Sequence, residues 1–247
     1  MSLRPAPAFE PPPATRGLVE WLAQQLGARI VQRDFSPGQP LPTEGEIQAA
    51  YSVSRTVVRE ATRLLAAKGL VSVRPKTGVR IRPASDWNMI DPDVMRWHLD
   101  GPPDLAFILS LYEIREIFEP QAARLAAERI TPEDGERLSR AMAGIATHAR
   151  GSPELIESDL AFHRLILVST ANPVLRSLGA LIEQTMAVSF ALSWRQTPQD
   201  ESVEQHRRVC EAILAGDGED AAYAMRRLIR SARQDVLAEM RVSPVDA

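Results

Sequence analysis

In the helical part of the chain, capping residues stand directly before prolines at Thr131-Pro132, Ser152-Pro153, Asn172-Pro173 and Thr197-Pro198. Each pair marks a helix start. The cap's side-chain oxygen accepts from a backbone N–H that would otherwise go unpaired, and proline, which has no N–H, suits the first helical position. Asp217 followed by Asp220 gives a fifth start without proline. These punctuations leave helical segments of roughly 15 to 24 residues, with no convincing strand between them. With a first helix from about Pro103 to Arg129, residues 104–241 read as a bundle of six helices, one of which is open to being broken.

The first third has a different rhythm. Leu18, Trp21, Leu22, Leu26 and Ile30 recur at helical spacing over residues 16–32, and a turn rich in Pro and Gly, DFSPGQPLPTEGE, follows. Thr43 with Glu46 makes a capping box for a short helix from Glu44 to Ala50. Ser54 then caps a helix within SVSRTVVREATRLLAAKGLV, and Gly69 stands where a left-handed residue would end it. At about 100° per residue, Arg55, Arg59 and Arg63 fall in one quarter of this helix, opposite Val57, Val58, Ala61, Leu64 and Leu65. The stretches 70–73 and 79–81 alternate around Pro75-Lys76-Thr77-Gly78, as a small hairpin does.

Charge separates the two parts. Residues 14–83 hold eleven Arg and Lys against five Asp and Glu, a net of +6, whereas residues 84–247 hold seventeen against twenty-six, a net of −9. Arg4 and Glu10 cancel, which gives the formal −3 of the whole chain. A basic head on an acidic body points to a polyanion met by the head alone. No apolar run approaches the roughly 18 to 20 residues that cross a bilayer. The opening MSLRPAPAFEPPPATRG lacks the apolar core of a signal peptide, and residues 1–13 read as a flexible Pro-rich arm. Cys210 is the only cysteine, which excludes an intrachain disulfide and a multi-cysteine zinc cluster and makes a cytoplasmic home the expectation.

Helix, short helix, tight turn, basic helix and hairpin is the order of a winged helix-turn-helix, whose second helix enters the major groove of DNA. An arginine row is by itself equally a solvated helix face. In this order of elements, Arg55 and Arg59 are expected at base edges. Ser54 and Thr56 would then lie at phosphates, and Lys76, Thr77 and Gly78 at the tip of the wing. The stretch PGQPLPTEGEIQAAYSVSRTVVREATRLLAAKGLVSVRPKTG resembles the DNA-binding domain of the GntR family of bacterial transcription regulators. That family's pattern runs LP-S/T-E, VSR-T/P-x-VREA, GLV and a wing. Many of its members carry a basic residue one position after the LPxE glutamate, where this chain has Gly45.

In the helical part the informative residues are polar ones on apolar stripes. Arg115 lies among Ile108, Leu111, Phe118, Ala122 and Leu125. Asp159 and His163, four apart, project from the stripe of Leu155, Ile156, Leu160, Ile166 and Leu167, and His206 belongs to a stripe with Val203, Cys210 and Ile213. Buried singly, each would cost several kcal/mol, on the order of 2–7 for a neutral polar group and more for a charge. Together they can satisfy one another, as a buried Asp–His pair with a structural Arg. Equally, they can satisfy an anionic ligand and a divalent cation.

YEIREIFEPQAARLAAERI, DLAFHRLILVSTANPVL and HRRVCEAILAGDGEDAAYAMRRL resemble the FCD ligand-binding domain of the FadR-like branch of the same family. The resemblance implies Asp159, His163 and His206 as ligands of a divalent metal, zinc in the first instance, and Arg115 with Asn172 as contacts of an organic-acid effector. A fourth ligand expected twenty-two residues after the third is here Leu228. Residues 84–103 read as a linker whose Trp87 and Trp97 pack against one domain, and the stretch SDWNMIDPDVMRWHLDGPPD resembles members that respond to sugar acids such as galactonate or gluconate.

The expectation is a mainly α protein. A winged helix-turn-helix at 14–83 and an all-helical effector-binding and dimerisation domain at 104–241 would make a homodimeric, cytoplasmic repressor with no membrane contact. Its partners would be an inverted-repeat DNA operator and a small carboxylate effector. Two rivals are a metal-free regulator sensing an acyl thioester and a metal-dependent hydrolase with a fused basic head. The second lacks a nucleophile motif and an evident general base beside the cluster.

Overall fold

The computed structural model describes residues 17–74, 78–101, 104–179, 182, 186 and 198–242. The expected arm at 1–13 and the wing-tip residues Lys76 and Thr77 lie outside the described residues. Two units divide between residues 103 and 104.

The first unit is a winged helix-turn-helix. It runs α1 (Leu18–Val31), α2 (Glu44–Tyr51), α3 (Arg55–Ala67), β1 (Val71–Arg74), β2 (Gly78–Ile81), a 3-10 turn at Ala84–Asp86 and α4 (Pro92–Leu99). Thr43 and Glu46 form the reciprocal capping box of α2, and Ser52, at φ 53°, ends that helix in the left-handed region. Ser54 Oγ accepts from the Val57 N–H to start α3. Val58, Ala61 and Leu65 anchor α3 in a core shared with Leu22, Leu26 and Ile30 of α1 and Ile47 and Tyr51 of α2. Gly69, at φ +82°, turns the chain out of α3, and a Cβ there would strike the Asp86 carbonyl. The wing strands pair antiparallel, Val71 opposite Ile81 and Arg74 opposite Gly78.

Residues 84–101 pack on the first unit, as expected of Trp87 and Trp97. α4 packs against α1, with Val94, Met95 and Trp97 buried. Lys68, at the end of α3, reaches Asp91 at 2.8 Å and Asp93 at 2.9 Å. Eight residues of helix give too little periodicity to show a buried face. What docks α4 is one large ring meeting one glycine, since a Cβ on Gly27 would collide with the indole of Trp97. Alanine in place of a mid-helix glycine ordinarily gains about 0.5–1 kcal/mol, but forcing atoms into a filled core costs about 1–3 kcal/mol. Gly27→Ala is therefore expected to lower stability, read as a lower denaturant midpoint in equilibrium unfolding. A raised midpoint would contradict this packing.

The second unit is helical. α5 (Leu105–Arg129), α6 (Pro132–Thr147), α7 (Pro153–Ser169) and α8 (Pro173–Ser177) are capped by Asp104, Thr131, Ser152 and Asn172, and α9 (Gln199–Leu214) and α10 (Gly218–Val242) follow. Thr197 lies outside the described residues, and Pro198 takes the N-cap position of α9. α5 packs on α10, α7 and α9, and α6 closes on α7 and α9. Among the described residues no helix is long and apolar enough to cross a membrane.

Candidate nucleic-acid interface and metal centre

On α3 the arginine side chains of positions 55, 59 and 63 are 72%, 59% and 68% exposed. Thr56 and Ser54 are exposed beside them, and Gly78, at φ 75°, is exposed at the start of β2. Ser54 spends its oxygen lone pair on the helix cap and keeps its O–H as a donor. A contact unforeseen in the sequence is Glu44, which accepts from Arg55 Nε at 2.6 Å and stands 3.9 Å from Arg59 Nε. Exposed pairs of this kind contribute about 0–1 kcal/mol, less than the roughly 1–3 kcal/mol of a good arginine–base contact. Glu44 thus aims the two arginines without sequestering them.

In the second unit α5, α6, α7, α9 and α10 all line one cavity. α7 supplies Asp159 and His163 one turn apart, α9 supplies His206, and α5 supplies Arg115. From α10 come Leu228, Ile229, Ser231 and Asp235, and Gln199, Ser202 and Gln205 complete a polar flank. His163 Nε2 and His206 Nε2 both approach one oxygen of Asp159, at 3.4 and 3.2 Å. One ligand atom from each of the three residues lies within 4.8 Å of the others. Phe162 sets its ring edge-on to both imidazoles, at 5.7 and 5.5 Å between centroids.

The far sides of the two imidazoles decide what the near sides can do. His206 Nδ1 donates to the Ser202 carbonyl at 2.8 Å, and His163 Nδ1 donates to Glu119 Oε2 at 2.7 Å. A carbonyl and an ionised carboxylate only accept, so both Nδ1 atoms carry the hydrogens and each neutral ring turns an Nε2 lone pair towards the carboxylate of Asp159. Lone pairs facing a carboxylate require positive charge between them. Two imidazole nitrogens and one carboxylate oxygen, each imidazole held by an acceptor behind it, form a donor set that suits zinc or a similar divalent ion. The residues fit such a metal. Without one, a proton answers the same demand: burial alone would lower the His163 pKa, but the Glu119 and Asp159 carboxylates drive it up. Burial would raise the Asp159 carboxyl, and the two histidines hold it well below the usual range.

Arg115 is buried, donates to Glu119 Oε1 through Nε at 2.5 Å and lies 5.5 Å above the Tyr112 ring. Burial would raise the Glu119 pKa, but Arg115 and His163 bring it down to about 2, so this carboxylate is charged. Two residues singled out by the resemblance now have places. Asn172 is not among the residues lining the cavity; its side chain accepts from the Val174 and Leu175 N–H groups and serves as the cap of α8. Leu228 lines the cavity as apolar wall where a fourth ligand was looked for. Glu119 escaped notice, although its place four residues after Arg115 was the available signal.

A winged helix-turn-helix with an exposed arginine row defines the class, a DNA-binding protein. Residues 18–81 match the bacterial regulatory proteins of the gntR family, and residues 110–231 match the FCD domain. The galactonate operon transcriptional repressor of Escherichia coli K12 is 32% identical over 208 residues, 83% of this chain and 91% of that protein. The uncharacterized HTH-type transcriptional regulator YieP of the same strain is 34% identical over 220 residues, covering 88% and 95%. A solved structure of Lar, which controls the expression of the Listeria monocytogenes agr system, shares the fold with a TM-score of 0.64 at 17% identity, covering 94% of this chain and 99% of that one. The chain belongs to the GntR family, with an FCD domain as its second half, and is a regulator of transcription rather than an enzyme.

Proposed function

We propose that this regulator is a cytoplasmic homodimeric repressor, released from an inverted-repeat operator when a small carboxylate enters the FCD cavity. The observation that carries the proposal is the convergence of Arg115 with Asp159, His163 and His206 on one cavity. Arg55 and Arg59 read base edges, while Ser54, Thr56 and the wing residues Lys76, Thr77 and Gly78 hold the backbone. Dimerisation through the second unit sets two α3 helices on two half-sites. Repression is supported by relatives that are named as repressors.

Asp159, His163 and His206 would hold zinc or a related divalent ion, which when bound supplies a Lewis-acidic anchor for a carboxylate or hydroxyl oxygen. Arg115 offers guanidinium N–H donors to the same carboxylate. Gln199, Gln205, Ser202 and Ser231 line the flank with groups suited to hydroxyls, which favours a sugar acid over an acyl thioester. Leu228 brings no donor atom, so the protein itself offers three ligands and leaves room for the effector in the shell. The effector shifts DNA affinity only as far as it prefers one arrangement of the dimer over the other.

Thermal unfolding tests the metal reading. Zinc at about 100 times its Kd stabilises by about 2.7 kcal/mol, so protein stripped with EDTA should melt several degrees below zinc-loaded protein. Asp159→Ala is expected to erase that difference. Equal melting of stripped and loaded wild-type protein, with no zinc retained after gel filtration, would refute the metal site. A panel of sugar acids added to the loaded protein then identifies the effector class.

A further inference from the structure

We infer that Glu119 is a positioning residue of the metal centre, fixing the His163 ring so that its Nε2 faces Asp159 and His206. The inference rests on the metal reading of those three residues. Glu119 is 2% exposed and does not line the cavity, so it touches neither a ligand there nor the three-residue cluster's open side. Its two oxygens have separate tasks. Oε2 accepts from His163 Nδ1 at 2.7 Å, and Oε1 accepts from Arg115 Nε at 2.5 Å.

The order of dependence follows from this geometry. His163 and Asp159 share α7, so helix spacing brings them together but leaves the ring free to rotate about its side-chain bonds. A ring turned over would aim Nδ1 at the cluster and waste Nε2. Glu119, on α5, removes that freedom from outside α7. Arg115, one turn before it on α5, holds the carboxylate in place and balances its charge in a site shut off from water. The other imidazole needs no such help, because His206 uses the Ser202 carbonyl of its own helix. Only one of the two histidines depends on a side chain from another helix. Metal affinity is therefore sensitive to a residue that is not a ligand. An acceptor behind a metal-binding histidine is worth about 10- to 100-fold in affinity.

Three full-length variants test this: Glu119→Gln, Arg115→Met, and Arg115→Met with Glu119→Leu. In Glu119→Gln the neutral amide oxygen is a weaker acceptor than the carboxylate, and its NH2 is set against a second N–H donor, so the hold on His163 Nδ1 is loosened. The double variant replaces the buried pair by apolar side chains, a change that buried ion pairs tolerate, while taking the acceptor from His163. Each protein is stripped and titrated with zinc against a chromogenic chelator, and cobalt(II) absorption reports the ligand field. Circular dichroism checks folding.

Each Glu119 variant is expected to bind zinc about 10- to 100-fold more weakly than its parent, with a shifted cobalt spectrum. If either folded Glu119 variant binds zinc as tightly as its parent (wild type for the single, Arg115→Met for the double) with an unchanged spectrum, the positioning role is overturned. Absence of zinc binding in the wild type, or binding that survives Asp159→Ala, overturns instead the metal reading beneath it.

Discussion

Replacing Arg55 and Arg59 together by alanine is expected to weaken binding to a selected operator by at least about 30-fold while leaving the protein folded. Each arginine–base contact is worth about 1–3 kcal/mol, and 2 kcal/mol is already about 30-fold. The fold should not notice, because both side chains stand in solvent and the core contacts of α3 run through Val58, Ala61 and Leu65. Glu44 loses its partners but is itself partly exposed, and the pairs it makes contribute about 0–1 kcal/mol. The measurement is fluorescence anisotropy on a duplex enriched by the wild-type protein from a randomised pool, repeated over a range of salt. Discrimination against a scrambled duplex should fall along with affinity, since base contacts specify and phosphate contacts only position. Affinity and discrimination both at wild-type level would remove α3 from the groove.

What could be read in advance and what could not follows the range of the forces involved. Caps act over three or four residues. Thr43 with Glu46, Ser54, Thr131, Ser152 and Asn172 were therefore legible as helix starts, and each caps a helix in the structure. The same signal bears on Asn172 as an effector contact. Its side-chain oxygen is spent on two backbone N–H groups, and a residue engaged as a cap has little left for a ligand. Convergence of Arg115, Asp159, His163 and His206 was legible because burying each alone would be costly, so a polar residue on an apolar stripe implies company.

The cross-helix roles of Glu119 and Glu44 were not legible. Glu119 follows Phe118 and reads as one more polar position on a long helix, until α7 is laid against α5 and His163 meets it. Glu44 looks like a helix-start acid until α3 brings Arg55 against it. The docking of α4 depends on Trp97 finding the one glycine of α1, Gly27, a match of shapes between residues far apart in the sequence. Departures from the family's pattern were visible as residue identities, but their meaning was not. Leu228 is now seen to be cavity wall.

Arg115→Met is expected to abolish the thermal shift produced by the acid effector while leaving operator affinity close to wild type. Arg115 is the cation of this cavity borne on α5, and a carboxylate brought out of water needs charge-assisted hydrogen bonds to offset its desolvation. Methionine keeps much of the volume and supplies no donor. Alanine would be a poorer test, since it adds a cavity to the loss of charge. Removing one member of a buried pair costs about 3–5 kcal/mol in general. Here Glu119 keeps its bond to His163, which moderates the loss, and a domain with about 5–15 kcal/mol of stability survives it. The variant should thus melt several degrees lower, in one transition, and its own unliganded melting point is the reference for the shift. The neutral amide of the same acid separates the two anchors. Wild-type protein should respond to the acid and not to the amide if the guanidinium supplies the discriminating contact. Equal responses to both, or a full shift with acid in Arg115→Met, would move the carboxylate's anchor away from Arg115, to the metal centre or to the far wall of the cavity.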